Sequence, residues 1–242
     1  MKKLLAIMVG ALLTLALVPG GAAATESASV RVAHGIPGQD LGLDSALPVD
    51  VLVNDSICLL QGFTFGEFAG PVELAPGTYD IKISLANPGS PCSNPAVINQ
   101  DVMFEEGEDA TVIAHLTEDG APTASKFTND LSRAGLLKSR LIVHHTAAAP
   151  TVDVMLQRSF LFRRALMIED FSNGDQAAAE VLPGRWNVSI APAGASDPVF
   201  GPVPLVVKPF RSYLIYAVGS VNTGSFTLLV EPVKTGPHFF WR

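Results

Sequence analysis

Hydrophobic and polar positions alternate along this chain in short stretches. In Thr78-Tyr-Asp-Ile-Lys-Ile-Ser-Leu85, Tyr79, Ile81, Ile83 and Leu85 fall on one side, and Asp80, Lys82 and Ser84 on the other. A period of two belongs to a strand with one buried face, because successive side chains of an extended backbone point in opposite directions. Trp186, Val188 and Ile190 repeat the pattern later in the chain. The β-branched runs 30–34 and 49–53, and the segments 97–104, 110–117, 202–207, 212–218 and 226–230, predict further strands. Pro76-Gly77 and Pro183-Gly184 punctuate them and fit a type II turn, with proline fixing φ and glycine accepting a positive φ. No long window carries a 3.6-residue period. Short strands at regular spacing predict two-layer β-sandwiches.

The pattern also repeats. Arg31-Val-Ala-His34 aligns with Leu141-Ile-Val-His144, and Val49-Asp50-Val51 with Val152-Asp153-Val154. Phe65-Gly-Glu-Phe68 aligns with Ile168-Glu-Asp-Phe171, and Leu74-Ala-Pro-Gly-Thr-Tyr-Asp-Ile81 with Val181-Leu-Pro-Gly-Arg-Trp-Asn-Val188. The four offsets, 110, 103, 103 and 107, preserve the order and differ only by loop length. The alignment predicts one sandwich over 25–130, a linker over 131–138, and a second sandwich over 139–242 that ends in an aromatic tail. Each copy has the size of an independently cored domain. The run from His34 to Asp50 is longer than its counterpart, and insertions of this kind are where function can be added.

Residues 1–24 read differently. Lys2 and Lys3 precede an apolar stretch from Leu4 to Val18, and Ala22-Ala-Ala24 supplies small residues before Thr25. This is the pattern of a cleaved bacterial signal peptide, and the apolar run is shorter than the ~20 residues that span a bilayer. The expectation is an exported protein, periplasmic or extracellular, with no membrane span after cleavage. The 242 residues are 48% apolar and 16% charged, too apolar for a disordered chain. The net charge is −7, and −9 without the two leader lysines, which argues against a nucleic-acid partner.

The order Arg31-Val-Ala-His34, Pro48-Val-Asp-Val51, Phe65-Gly-Glu-Phe68 and Leu74-Ala-Pro-Gly-Thr-Tyr79 resembles the DUF4397 family, a bacterial domain of unknown function found in secreted proteins. The resemblance covers nearly the whole chain after the leader, once per repeat, and is better in the first copy. It implies a β-sandwich in an extracytoplasmic setting and carries over no catalytic residue. With the periodicity, it sets the fold class: all-β, two tandem antiparallel sandwiches of immunoglobulin-like or transthyretin-like kind.

Candidate chemistry is sparse. There is no G-x-S-x-G, S-x-x-K, H-E-x-x-H or Gly-Lys dipeptide. His34 and His144 close the first strand of their copies, and Asp50 and Asp153 recur between strand hydrophobics. A His34–Asp50 pair and a His144–Asp153 pair follow as expectations. Their recurrence favours an architectural tie over an acid/base role, since a fold requirement recurs wherever the fold does. Asp40 and Asp44 in the inserted loop are metal-ligand candidates, against the simpler reading of a solvated acidic loop. The clusters Glu105, Glu106, Glu108, Asp109 and Glu118, Asp119 lack calcium-loop spacing. Phe239, Phe240 and Trp241 form a candidate partner patch. Cys58 and Cys92, an even pair in an exported protein, predict a disulfide within the first copy.

These readings lead to a secreted, non-enzymatic binding or surface-interaction module that needs no cofactor and has a protein or glycan ligand. The alternative is a hydrolase or metal-dependent enzyme built on the His34–Asp44 loop.

Overall fold

The computed structural model describes residues 25–158 and 165–235. The leader-like segment and the aromatic residues Phe239, Phe240 and Trp241 lie outside them.

The first half contains β1 (Ala28–His34), β2 (Val49–Val53), β3 (Ile57–Phe63), β4 (Phe68–Leu74), β5 (Gly77–Leu85), β6 (Ala96–Phe104), β7 (Asp109–Leu116) and β8 (Pro122–Thr128). The second contains β9 (Ser139–His145), β10 (Val152–Arg158), β11 (Ala165–Phe171), β12 (Gln176–Val181), β13 (Gly184–Pro192), β14 (Phe200–Val207), β15 (Arg211–Val218) and β16 (Thr227–Lys234). They form four sheets, ordered β4-β1-β7-β8 and β3-β2-β5-β6 in the first sandwich, β12-β9-β15-β16 and β11-β10-β13-β14 in the second. The two orders correspond position for position. Each sandwich has one parallel pair in an otherwise antiparallel framework, β1 with β7 and β9 with β15. The chain returns to each first strand twice, once from the opposite sheet's first hairpin to pair antiparallel on one side (β4, β12) and again after its second hairpin to pair parallel on the other (β7, β15). Gly77 and Gly184 hold φ of 151° and 141°. The expected positive φ is present, but wider than a type II turn requires, because both glycines already begin strands.

Alternation sorts the inner-sheet side chains onto two faces. Val30, Val112 and Ala114 meet Val51, Ile83 and Ile98 in the core of the first sandwich. Leu141, Val143 and Ile215 meet Val154, Trp186 and Ile190 in the second. The opposite faces of the same strands meet each other: Ala33, Ile113 and Phe127 pack against Ile142, Leu214, Tyr216 and Val218. Every residue of β9 is therefore buried, and all but the first of β7 and β15. Burying each large aliphatic of this kind is worth about 1.5–3 kcal/mol. The molecule is a stack of four sheets, with inner sheet on inner sheet and an outer sheet at either end.

The segment between the sandwiches is irregular but held. Asn129 donates to Asp109 Oδ1 (2.8 Å) and Thr111 Oγ1 (3.0 Å), and Arg140 donates to the carbonyls of Asp130 and Ser132 (both 2.9 Å).

Candidate functional site

His34 ends β1 on the core side of the inner sheet. Its Nδ1 accepts from the Ile36 N–H (3.3 Å), so Nε2 carries the proton and donates to the Leu47 carbonyl (2.9 Å). Burial pushes its pKa below the ordinary value, against the raising effect of the Leu47 hydrogen bond and the Glu67 charge. A neutral ring with both nitrogens engaged folds the inserted loop back onto the sandwich.

The hydrogen bonds identify the true counterpart of His34 as His145. His34 N donates to Glu67 O and its carbonyl accepts from Gly66; His145 N donates to Asp175 O and its carbonyl accepts from Gly174. His34 Nε2 meets Leu47 O, and His145 Nε2 meets Pro150 O at 3.2 Å. The rings lie 6.0 Å from Phe63 and 5.9 Å from Phe171. The expected equivalence of His34 with His144 is thus off by one residue. Phe65-Gly66-Glu67 likewise corresponds to Asn173-Gly174-Asp175, not to the segment before Phe171. One residue is decisive in a strand, because it exchanges faces. His144 points instead into the seam between the sandwiches, stacked on Tyr216 (4.2 Å, 9°) with Phe127 edge-on at 4.6 Å.

The expected pairing of these histidines with Asp50 and Asp153 is also corrected. Val49, Val51 and Val53 face the core, so Asp50 points to the other side of β2, away from His34. Its carboxylate takes N–H bonds from Gly62 (2.9 Å), Cys92 (2.8 Å) and Asn87 (3.1 Å). Burial pushes its pKa up, but these three donors outweigh that and hold it below the usual carboxylate range. Asp153 takes the N–H of Asp170 (2.9 Å) and of Gly194 (2.8 Å). In both sandwiches the pairing of this strand with its neighbour shifts register at the aspartate. A bulge leaves a backbone donor outside the ladder, and the carboxylate accepts it. The same carboxylate then fixes the loop after β5 or β13. In the first sandwich that loop is also tied covalently by the Cys58–Cys92 disulfide, Cα–Cα 5.9 Å.

The acidic candidates are occupied by the fold. Asp44 Oδ1 accepts the Ala46 N–H (2.9 Å). Asp40 lies in a short 3-10 turn, Gly38–Leu41, and reaches into the second sandwich, accepting from Ser225 Oγ at 2.7 and 2.8 Å and from the Thr223 hydroxyl. Asp109 takes two bonds from buried Arg31 (2.6 and 2.8 Å), and Arg31 Nε lies 3.8 Å from Glu231 of the second sandwich. Glu108 pairs with Lys126 at 2.8 Å. Among the described residues, no group of three or more His, Cys, Asp or Glu side chains could hold a metal ion.

The site that sequence reasoning missed is a difference between the two sandwiches. At the end of the first, Ile36, Leu41 and Leu47 of the inserted loop pack into the core, leaving only about 80 Å³. By strand register, Val49, Ile83 and Ile98 there correspond to Val152, Ile190 and Phe200. The second sandwich has no such insertion, and its end opens as an apolar groove of about 480 Å³. Pro150, Val152, Ile190, Val199, Phe200 and Phe226 line it, with Phe200 edge-on to Phe226 at 4.9 Å. Val199 and Val221 at its rim are 66% and 43% exposed. Its size is that of a ligand pocket. The length difference between the two loops was the available signal, but it points to the shorter loop.

The family model described as "Domain of unknown function (DUF4397)" matches residues 28–155, the first sandwich with β9 and part of β10. A search of curated proteins gave no match. Solved structures give remote likenesses. A candidate cell adhesion protein of Bacteroides ovatus matches at 11% identity and TM-score 0.27, covering 88% of this chain and 98% of that one. The Bacillus anthracis TIE protein matches at 10% identity and TM-score 0.24, over 76% of this chain, which spans about a third (32%) of that protein. A streptococcal ancillary pilin matches at 10% identity and TM-score 0.21, over 76% of this chain and 60% of that one. Likenesses at these scores carry no inference about function.

Proposed function

The chain belongs to the DUF4397 family, and from that premise we propose that it is an exported, non-enzymatic double sandwich that binds a protein or glycan at a cell surface. One observation carries this reading. The polar residues that recur in both halves, His34 with His145 and Asp50 with Asp153, take equivalent backbone partners in each. A group that makes the same bond in two copies of a fold is serving the fold. Both sandwiches then act as a rigid body that displays its surfaces. The leader-like first 24 residues and the disulfide support export, and among the described residues no helix is long and apolar enough to cross a membrane. The acidic net charge speaks for a partner other than nucleic acid.

The enzymatic alternative required the His34–Asp44 loop to converge on a reacting group. Its members diverge: His34 faces the core, Asp40 the second sandwich, and Asp44 its own turn. The test is direct. Labelled full chain is titrated onto intact cells and onto a glycan array, beside a panel of ester, phosphate and glycoside substrates. Saturable binding without turnover is expected. Turnover abolished by His34→Ala and Asp44→Asn in a still-folded chain, with no surface binding, would overturn the proposal.

A further inference from the structure

The geometry points to a socket for a second copy of this chain: the open end of the second sandwich receives the aromatic segment Phe239-Phe240-Trp241 of a neighbouring molecule, head to tail. This goes beyond the surface-binding proposal and does not depend on it.

The first sandwich shows what such an end accepts. There the chain's own Ile36, Leu41 and Leu47 fill the space, so an apolar piece of polypeptide is the natural plug. The second sandwich keeps the same walls and lacks the plug, leaving about 480 Å³ lined mainly by carbon. Covering it removes the exposed side chains of Val199 and Val221 from water, which favours the contact. The sequence holds one conspicuous unassigned apolar segment after β16, with three aromatics in five residues from His238 to Arg242. Aromatic side chains bury large areas with little entropy loss and suit such sockets.

Reach decides whether that segment comes from the same molecule. Phe226 lines the groove, and β16 then runs away from it, pairing Thr227 with Val218 at the near end and Lys234 with Arg211 at the far end. Thr235 is therefore about 30 Å from the groove at ~3.4 Å per residue. Trp241 is six residues past Thr235 and reaches at most about 22 Å when fully extended. That span falls short of the molecule's own groove, and its starting point, Thr235, lies at the opposite end of the sandwich, within range of the groove of a next molecule. Such a contact joins unlike surfaces and does not close on itself, so it builds open chains.

The experiment uses the full chain and measures mass by sedimentation. The wild type should grow in mass with concentration. Two variants should stay monomeric: Phe239→Ser/Phe240→Ser/Trp241→Ser, which removes the plug, and Val199→Asp/Val221→Asp, which charges the exposed rim of the socket. Mixed in equal amounts, these two still hold one intact plug and one intact socket. The mixture should double in mass to a dimer and stop there. A cooperative urea transition followed by far-UV circular dichroism verifies that both variants keep their fold. A wild type that stays monomeric, a variant that still assembles alone, or a mixture that forms no dimer overturns the proposal. So does an acyl-chain probe that fills the groove of the plug variant and is not displaced by the socket variant.

Discussion

Asp40 and Ser225, 185 residues apart, are hydrogen-bonded to each other, both carboxylate oxygens lying within 2.8 Å of the serine hydroxyl. This contact joins the loop inserted in the first sandwich to the turn between β15 and β16 in the second. That turn carries Val221 and Gly224, which form one wall of the open groove. The insertion thus plugs its own sandwich with its apolar side and braces its neighbour with its acidic side.

Asp40→Ala should therefore loosen the second sandwich while leaving the first intact. Hydrogen bonds to a charged group are worth about 1.5–3 kcal/mol, less where partly exposed. We expect a loss of about 1 kcal/mol in urea unfolding, with faster amide exchange across 220–226 and no change around β2 and β5. Unchanged exchange in that turn would show that the clasp does not brace it.

The seam should make the two sandwiches fold as one. Cut apart, each would expose Ala33, Ile113 and Phe127, or Ile142, Leu214, Tyr216 and Val218, all of them buried in the whole chain. Exposed patches of this kind associate. Fragments 25–130 and 139–242 should aggregate or bind hydrophobic dye, and the whole chain should melt in one calorimetric transition. Two resolved transitions, with soluble fragments, would mean that the seam contributes little.

Asp50 and the disulfide should couple. A bridge over 34 residues is worth about 4 kcal/mol in the chain-entropy model. Asp50→Ala leaves the N–H groups of Gly62, Asn87 and Cys92 without their acceptor and should cost about 2–4 kcal/mol. Both act on the loop after β5, so the double variant should lose less than the sum of the two. A double-mutant cycle in urea measures this, and strict additivity would refute the shared role.

Stability should fall on mild acidification. Burial lowers the pKa of His144 to about 4 and also lowers those of His34, His115 and His145. The unfolded chain takes up protons near pH 6.5 that the folded chain refuses. The contribution of these histidines is complete above that pH and is lost as pH falls toward 4, about 3 kcal/mol for His144 alone. Glu231, raised by burial, has the opposite slope and offsets part of the loss. Urea midpoints between about pH 6.5 and 4.5 should drop for the wild type and drop less for His144→Phe. Parallel curves for the two proteins would remove His144 from the account.

The strands and the disulfide were legible because they depend on local alternation and on a count of two cysteines. The periods around Ile81 and Val188 placed β5 and β13, and Cys58 met Cys92 as expected. The histidine register was not legible. His144 and His145 are adjacent, and an alignment that admits gaps can choose either, whereas only strand parity separates a core position from a seam position. The seam itself had left a trace. The runs Leu141-Ile-Val-His-His145 and Tyr213-Leu-Ile-Tyr-Ala-Val218 are apolar or aromatic without a break, the mark of strands buried on both faces. The Asp40–Ser225 contact left none, because a bond across 185 positions has no local signature.

The stacking of the four sheets also sets a length and a direction. Packed sheets lie ~10 Å apart, so the backbones of the two outermost sheets are separated by about 30 Å and face opposite ways. A molecule held by one outer sheet presents the other squarely away from its support, at a distance that the buried seam keeps from varying. The separation of the two outer faces is thus set by the number of layers between them.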